Sequence, residues 1–205
     1  MPADGYETEV KFYVQNLTPI EVRLNGLHAQ MIQPRILETN IRFDLPGDAL
    51  QAQGKVLRLR QDTASRLTYK SASTNHAGVL SRQEIEFEVG HFDTARRFLE
   101  ALGYQKVISY EKYRTTYQLD KNLIMLDELP YGNFVEVEGE DVSSIRSVTD
   151  QLNLNWDRAV LVSYPVLFER VQKALNLSGQ DLAFKNFRGI QVQPPDLGVR
   201  PADDY

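Results

Sequence analysis

From Tyr6 to Val14, polar and apolar positions alternate: Glu7, Glu9 and Lys11 fall on one side, Val10 and Phe12 on the other. A period of two is the signature of a β-strand with unlike faces. The same reading holds for Lys55–Gln61, Arg66–Ser71, Arg82–Val89, Lys106–Leu119, Asn122–Asp127 and Phe134–Gly139, and Pro34–Leu45 reads as extended. Helical spacing predicts four helices. The first starts at a capping box, Thr18-Pro19-Ile20-Glu21, and runs to about Met31. The others cover Asp93–Leu102 with Gly103 as the stop, Val142 to Leu152, and Tyr164 to about Leu175. Pro46-Gly47-Asp48 is a turn, Ser73–Gly78 a polar loop, and Gln193–Tyr205, rich in proline and aspartate, a loose tail. With no repeat and no linker, the chain reads as one domain over 1–192, followed by a flexible tail over 193–205. Short connections favour antiparallel pairing, and so an antiparallel barrel or strongly curved sheet with helices packed outside.

The strand faces are unevenly charged. Arg58 and Arg60 share a face, as do Arg82, Glu84 and Glu86, then Lys112 and Arg114, then Glu136 and Glu138. The opposite faces carry Val10, Phe12, Leu59, Ile85, Phe87, Val135 and Val137. One such strand alone is a half-buried sheet with a solvated face. Taken together, the helices need apolar partners, and the outward strand faces supply them. The charged faces then look into the barrel, which requires a lumen holding water or a ligand. Like charges about 4 Å apart repel by roughly 4 kcal/mol at an effective dielectric near 20. The basic cluster of Lys11, Arg58, Arg60, Lys70, Arg82, Lys112 and Arg114 therefore calls for a polyanion. The acidic cluster of Glu7, Glu9, Glu136 and Glu138 calls for a hard cation. A metal-complexed oligophosphate meets both demands.

Composition narrows the chemistry. The 205 residues carry 23 basic and 28 acidic side chains, a net charge of −5, which argues against a duplex nucleic-acid partner. There is no cysteine, so thiol chemistry and cysteine-bound metals are excluded. His28, His76 and His91 are scattered and read as surface residues. Any metal is expected to be held by carboxylates, as Mg²⁺ or Mn²⁺. No apolar run reaches the ~18 residues of a membrane span, and Met1 to Tyr6 lacks signal-peptide features. The expectation is a cytoplasmic protein without a membrane partner, either monomer or homodimer.

Glu7-Thr8-Glu9-Val10-Lys11 fits the pattern ExExK, and six further elements follow in order. They are Leu57-Arg58-Leu59-Arg60, Leu67-Thr68-Tyr69-Lys70, Arg82-Gln83-Glu84-Ile85-Glu86, Glu111-Lys112-Tyr113-Arg114, the pair Leu126-Asp127 with Gly132-Asn133-Phe134-Val135-Glu136-Val137-Glu138, and Ser163-Tyr164. The set resembles the CYTH superfamily, the triphosphate tunnel metalloenzymes. The resemblance implies an α+β fold: an eight-stranded antiparallel β-barrel, or tunnel, with a charged lumen and helices outside. It implies that Glu7, Glu9, Glu136 and Glu138, assisted by Asp127, bind the metal. It implies that Lys11, Arg58, Arg60, Lys70, Lys112 and Arg114 hold the phosphates, with Glu7, Glu9, Lys11 and Lys70 central to catalysis. Arg82, Glu84 and Glu86 match family positions, Arg82 as a further phosphate ligand, and Lys185 lies near a late family lysine. Two reactions suit such a site: hydrolysis of a triphosphate-containing small molecule, and cyclisation of ATP as in class IV adenylyl cyclases. A non-catalytic polyphosphate or nucleotide sensor is the third reading.

Overall fold

The alternating segments pair into one sheet that closes on itself. The computed structural model describes residues 5–177, 179 and 181–203. In chain order its elements are β1 (Tyr6–Val14), α1 (Thr18–Gly26), β2 (Gln30–Asp44), β3 (Val56–Gln61), β4 (Ser65–Lys70), β5 (Thr74–His76), β6 (Val79–Val89), α2 (Phe92–Ala101), β7 (Gln105–Leu119), β8 (Asn122–Leu129), β9 (Gly132–Glu138), α3 (Val142–Gln151), α4 (Tyr164–Leu175) and α5 (Pro194–Leu197). The ring runs β1-β9-β8-β7-β2-β3-β4-β6, and β6 returns to pair with β1. All these pairings are antiparallel. Closure satisfies the backbone groups that an open edge would expose. The chain therefore adopts the expected eight-stranded barrel, with β5 as an additional strand against β6.

Each strand splits its side chains between the two sides of the wall. Val10, Phe12 and Val14 point outward and pack with Ile20 and Leu24 of α1 and with Ile145, Val148 and Leu152 of α3. α2 buries Leu99 over Ile41, Phe43 and Leu59. α4 behaves differently. Its Tyr164, Leu167, Phe168 and Val171 pack with Tyr13 and Phe134, which sit on the inward faces that also carry Lys11 and Glu136. It closes across one end of the barrel, and its first residues line the tunnel. The tight turn from β8 to β9 needs Gly132, whose φ is 150° and where a Cβ would come within 2.7 Å of the Tyr13 ring.

Several elements depart from the sequence expectations. The first helix stops at Gly26, and residues from Gln30 onward already pair with β7. No capping box forms there: the side-chain oxygen of Asn16 accepts from the Thr18 amide instead. The loop expected over Ser73–Gly78 contains β5, which forms a hairpin with β6 through Ala77 and Gly78, both at positive φ. Ile85 and Phe87 were expected beneath a helix but are 52% and 54% exposed. No described residue of the helices reaches across that part of β6 to form a core with them.

The expected loose tail is packed against the barrel as far as it is described. Pro194 and Pro195 open α5, where their fixed φ favours the first helical turn. Gln193 and Asp196 complete a reciprocal capping box. Leu197 and Ala202 are fully buried. The Ala202 amide donates to the Tyr13 carbonyl, and the Asp203 carboxylate accepts from the amides of Gln15 and Asn16. The prolines that suggested disorder thus begin a docked turn. Asp204 and Tyr205 of that tail lie outside the described residues, as do residues 1–4, on which the signal-peptide expectation partly rests. Among the described residues no helix is long and apolar enough to cross a membrane.

Leu197→Ala tests the docking of the tail. It should lower stability to urea by about 2–5 kcal/mol, the usual cost of emptying a core site. A tail without tertiary contacts would give a change within about 0.5 kcal/mol.

Candidate active site

The inward faces meet in a tunnel of about 1160 Å³. At one end the strand register opposes Glu7 to Arg82 across β1 and β6, and Glu9 to Glu138 across β1 and β9. Lys70 donates to both Glu7 oxygens at 2.6 Å and lies 3.0 Å from Glu84. Arg82 donates to Glu7 at 3.1 Å and to Glu9 at 3.4 Å. Among the described residues, Glu138 has no cationic partner within 4.0 Å. Burial and the neighbouring Glu7 and Glu136 push the Glu9 carboxyl up. Burial, with Glu7, Glu9 and Glu84, raises that of Glu138 to about 7. This mouth holds more carboxylate than its cations neutralise.

Deeper in, the bases are held by interior acids. Lys11 is opposite Glu136 in register and 3.0 Å from it. Arg114 donates to Asp127 and to Glu136, and Lys112 donates to Asp127 at 2.9 Å. The Tyr164 hydroxyl, at the first turn of α4, also donates to Asp127, at 2.8 Å. The Tyr164 ring lies 4.3 Å beneath the Lys11 ammonium and 5.2 Å from that of Lys112. Burial, then Asp127 and Glu136, push the Tyr164 phenol well up, so it remains a donor. Burial disfavours the Arg114 charge, but Asp127, Glu136 and Glu38 outweigh it and hold that guanidinium protonated. On the facing wall, Arg60 donates to both Glu86 oxygens, at 3.0 and 3.2 Å. Arg58 lies 3.5 Å from Glu86, and Thr68 donates to the same carboxylate at 2.7 Å.

The tunnel thus gathers the residues expected on β1, β3, β4, β6, β7 and β9. Asp127 corrects an expectation. It has no exposed surface, it is not among the lining residues, and Lys112, Arg114 and Tyr164 occupy it. In this arrangement it anchors the cations Lys112 and Arg114. Lys185 is a second correction. It is exposed on a short 3-10 turn outside the tunnel lining, because Phe184 packs 5.0 Å from Tyr113 on the barrel's outer side. Glu84 pairs with Lys70, directly opposite it in register.

Among the charged lining residues that escaped the sequence reading are Asp62 and Arg66, which pair with Arg60 and Glu86, and Glu38 and Arg42, both on β2. The alternation Glu38, Asn40, Arg42, Asp44 would have revealed the β2 pair. Glu38 lies 3.5 Å from Lys112, 3.8 Å from Arg60 and 3.9 Å from Arg114. Burial works against its charge, but Lys112, Arg114, Arg60 and Arg58 hold its carboxyl down at about 2.

The residues present fit both a phosphate chain and a divalent cation. Nε of Arg58 and Nε of Arg60 are buried without a hydrogen-bond partner, the latter 3.5 Å from an Asp62 oxygen, and both arginines line the tunnel, where a guanidinium suits anionic oxygens. Among the described residues no three acids converge into a ready-made metal cage. Mg²⁺ does not need one, since it keeps waters and takes one or two carboxylates with phosphate oxygens. The mutual repulsion of Glu7, Glu9 and Glu138 is what such a cation would relieve, with Glu136 beside them.

Residues 5–154 match the CYTH domain family. No curated protein sequence matches the chain. Among solved structures, a candidate adenylate cyclase from Vibrio parahaemolyticus is 21% identical, with a TM-score of 0.70 over 80% of this chain and 98% of that one. A Pyrococcus horikoshii protein is 26% identical, with a TM-score of 0.67 over 77% and 96%. A Hippeastrum candidate adenylyl cyclase, described by its dominant triphosphatase activity, is 18% identical, with a TM-score of 0.55 over 95% and 100%. The Vibrio and Hippeastrum likenesses carry the fold, and the family match spans the whole ring of strands. The chain belongs to the CYTH domain family.

Proposed function

We propose that this protein hydrolyses a triphosphate, namely inorganic tripolyphosphate, thiamine triphosphate or a nucleoside triphosphate, with Mg²⁺ or Mn²⁺ inside the tunnel. The observation that carries the reading is the row of cations lining the lumen, each oriented by a buried acid. Lys11, Arg58, Arg60, Lys70, Arg82, Lys112 and Arg114 neutralise the phosphate oxygens, and the arginines do so with planar, two-pronged donors. Glu7, Glu9 and Glu138, flanked by Glu136, hold the cation. A bound divalent ion would lower the pKa of water and stabilise charge on the transferred group. Positioning and charge neutralisation are the main demands of phosphoryl transfer, so no protein nucleophile is required. The described tunnel lining contains no histidine, and the chain has no cysteine.

Cyclisation of ATP is the second reading. A tunnel of about 1160 Å³ exceeds the usual ~300–1,000 Å³ of a small-molecule site and leaves room for a base and ribose. Incubation with ATP, tripolyphosphate and thiamine triphosphate under Mg²⁺ or Mn²⁺, with product identification, separates the readings. Orthophosphate is expected. Cyclic AMP with pyrophosphate would select the cyclase, and no turnover on any of them would select a binding protein.

Two substitutions probe the roles. Glu9→Gln should cut metal-dependent turnover by about 100-fold or more while the folded structure persists. Turnover equal to wild type would remove Glu9 from the metal site. Tyr164→Phe keeps the ring under Lys11 but deletes the donor to Asp127. It should cost about 1.5–3 kcal/mol in chemical unfolding, the range for a hydrogen bond to a charged group.

A further inference from the structure

β2 supplies none of the seven elements that carry the family resemblance, yet Glu38, Asn40 and Arg42 share its inward face. Arg42 lines the tunnel and differs from the other lumen cations described above. Each of those has a carboxylate oxygen within 4.0 Å. Among the described residues Arg42 forms no such pair. Register sets it directly across from Arg58, another guanidinium, whose Nε is also without a partner. Like charges facing each other across a strand pair destabilise it. Burial pulls the Arg42 guanidinium below its ordinary value and Arg82 and Arg58 add to this, while Tyr110 and Asp44 oppose it.

Asn40 shares this face but lies behind the lining residues. It is fully buried, yet neither its amide nitrogen nor its oxygen has a hydrogen-bond partner among the described residues. A buried polar group left unmet costs about 1–3 kcal/mol. Asn40 lies opposite Arg60 in register and one inward position from Arg42. Arg42 and Arg58 thus set two guanidinium groups side by side on the β2–β3 wall of the tunnel, and Arg42 has no ion-pair partner among the described residues. A phosphoryl group, with anionic acceptor oxygens, would compensate that charge, and a guanidinium pair is suited to gripping it.

We propose that Arg42 is a phosphate-binding residue, clamping one phosphoryl group of the bound oligophosphate together with Arg58. This rests on the oligophosphate reading of the tunnel. The test is calorimetric binding of inorganic tripolyphosphate to the full chain in the presence of a chelator, so that metal and turnover do not enter. The wild type should bind. Arg42→Gln should weaken binding by roughly 10- to 100-fold, the loss expected for charge-assisted hydrogen bonds. Arg42→Lys should recover part of it, because charge returns without the fork. Arg58→Ala is the reference, expected to weaken binding comparably. If Arg58→Ala weakens binding and Arg42→Gln leaves it unchanged, the Arg42 assignment falls while the oligophosphate reading stands. If the wild type does not bind, both fall. Should Arg42→Gln not fold, the side-chain Nε–H resonance of Arg42 in the wild type decides. A shift on adding tripolyphosphate supports the clamp, and an unmoved resonance overturns it.

Discussion

Charge buried inside a closed barrel must be paired, and the rest of this structure follows from how Asp127 meets that demand. Its carboxylate has no exposed surface and accepts from Lys112, Arg114 and Tyr164, which come from β7 and α4. Removing one member of such a group leaves an uncompensated charge, at a typical cost of about 3–5 kcal/mol. Keeping it is no great source of stability, since desolvation consumes most of the attraction. What the arrangement supplies is position. It fixes two cations and the first turn of α4 relative to the strand wall, and Lys11 is then set over the Tyr164 ring. Fixed charges that need no reorganisation when a phosphate arrives are an effective form of electrostatic stabilisation.

The two regions of the tunnel are complementary. Around Asp127, Glu86 and Glu38, acids are outnumbered by the bases they orient, and Glu38 is held down at about 2. Around Glu9 and Glu138, acids face each other across the β1–β9 ladder, and Glu138 is raised to about 7. One region lacks an anion and the other lacks a cation. The proposed metal-complexed oligophosphate would supply both. The net charge of −5 conceals this separation, because the surface and lumen contributions are summed.

Much of the ring was legible because the side-chain period of a strand does not depend on its partners. Glu7, Glu9 and Lys11 declare a face by themselves, as do Arg58 and Arg60, and helices over the opposite faces turn those charges inward. β2 was harder to read. Its alternation from Glu38 to Asp44 is present in the sequence but matches none of the seven motif elements, and its pairing with β7 shifts register near Met31, Gln33 and Ile36 and again after Arg42. The tail was misread for a different reason. Prolines and aspartates are as compatible with a docked turn as with disorder, and only distant partners, the Tyr13 carbonyl and the Gln15 and Asn16 amides, decide between them. Ile85 and Phe87 show the converse: an apolar face can be recognised from sequence, but whether a helix covers it cannot.

α4 shows why strand motifs alone do not define the site. The family match ends at residue 154, before this helix begins at Tyr164. Pro165 at its first turn favours a helix start, and Leu167, Phe168 and Val171 bury one face against the inward-pointing Tyr13 and Phe134. Tyr13 and Phe134 continue the strand faces that carry Lys11 and Glu136, so the barrel interior changes from a charged lumen to a packed aromatic core toward α4. Tyr164 stands at that boundary, with its ring against ammonium groups and its hydroxyl on Asp127. An apolar floor excludes water from one side of the cations, and lower local polarity strengthens their attraction for an anion. The barrel supplies the charges, and the helix beyond the matched region determines how strongly they act.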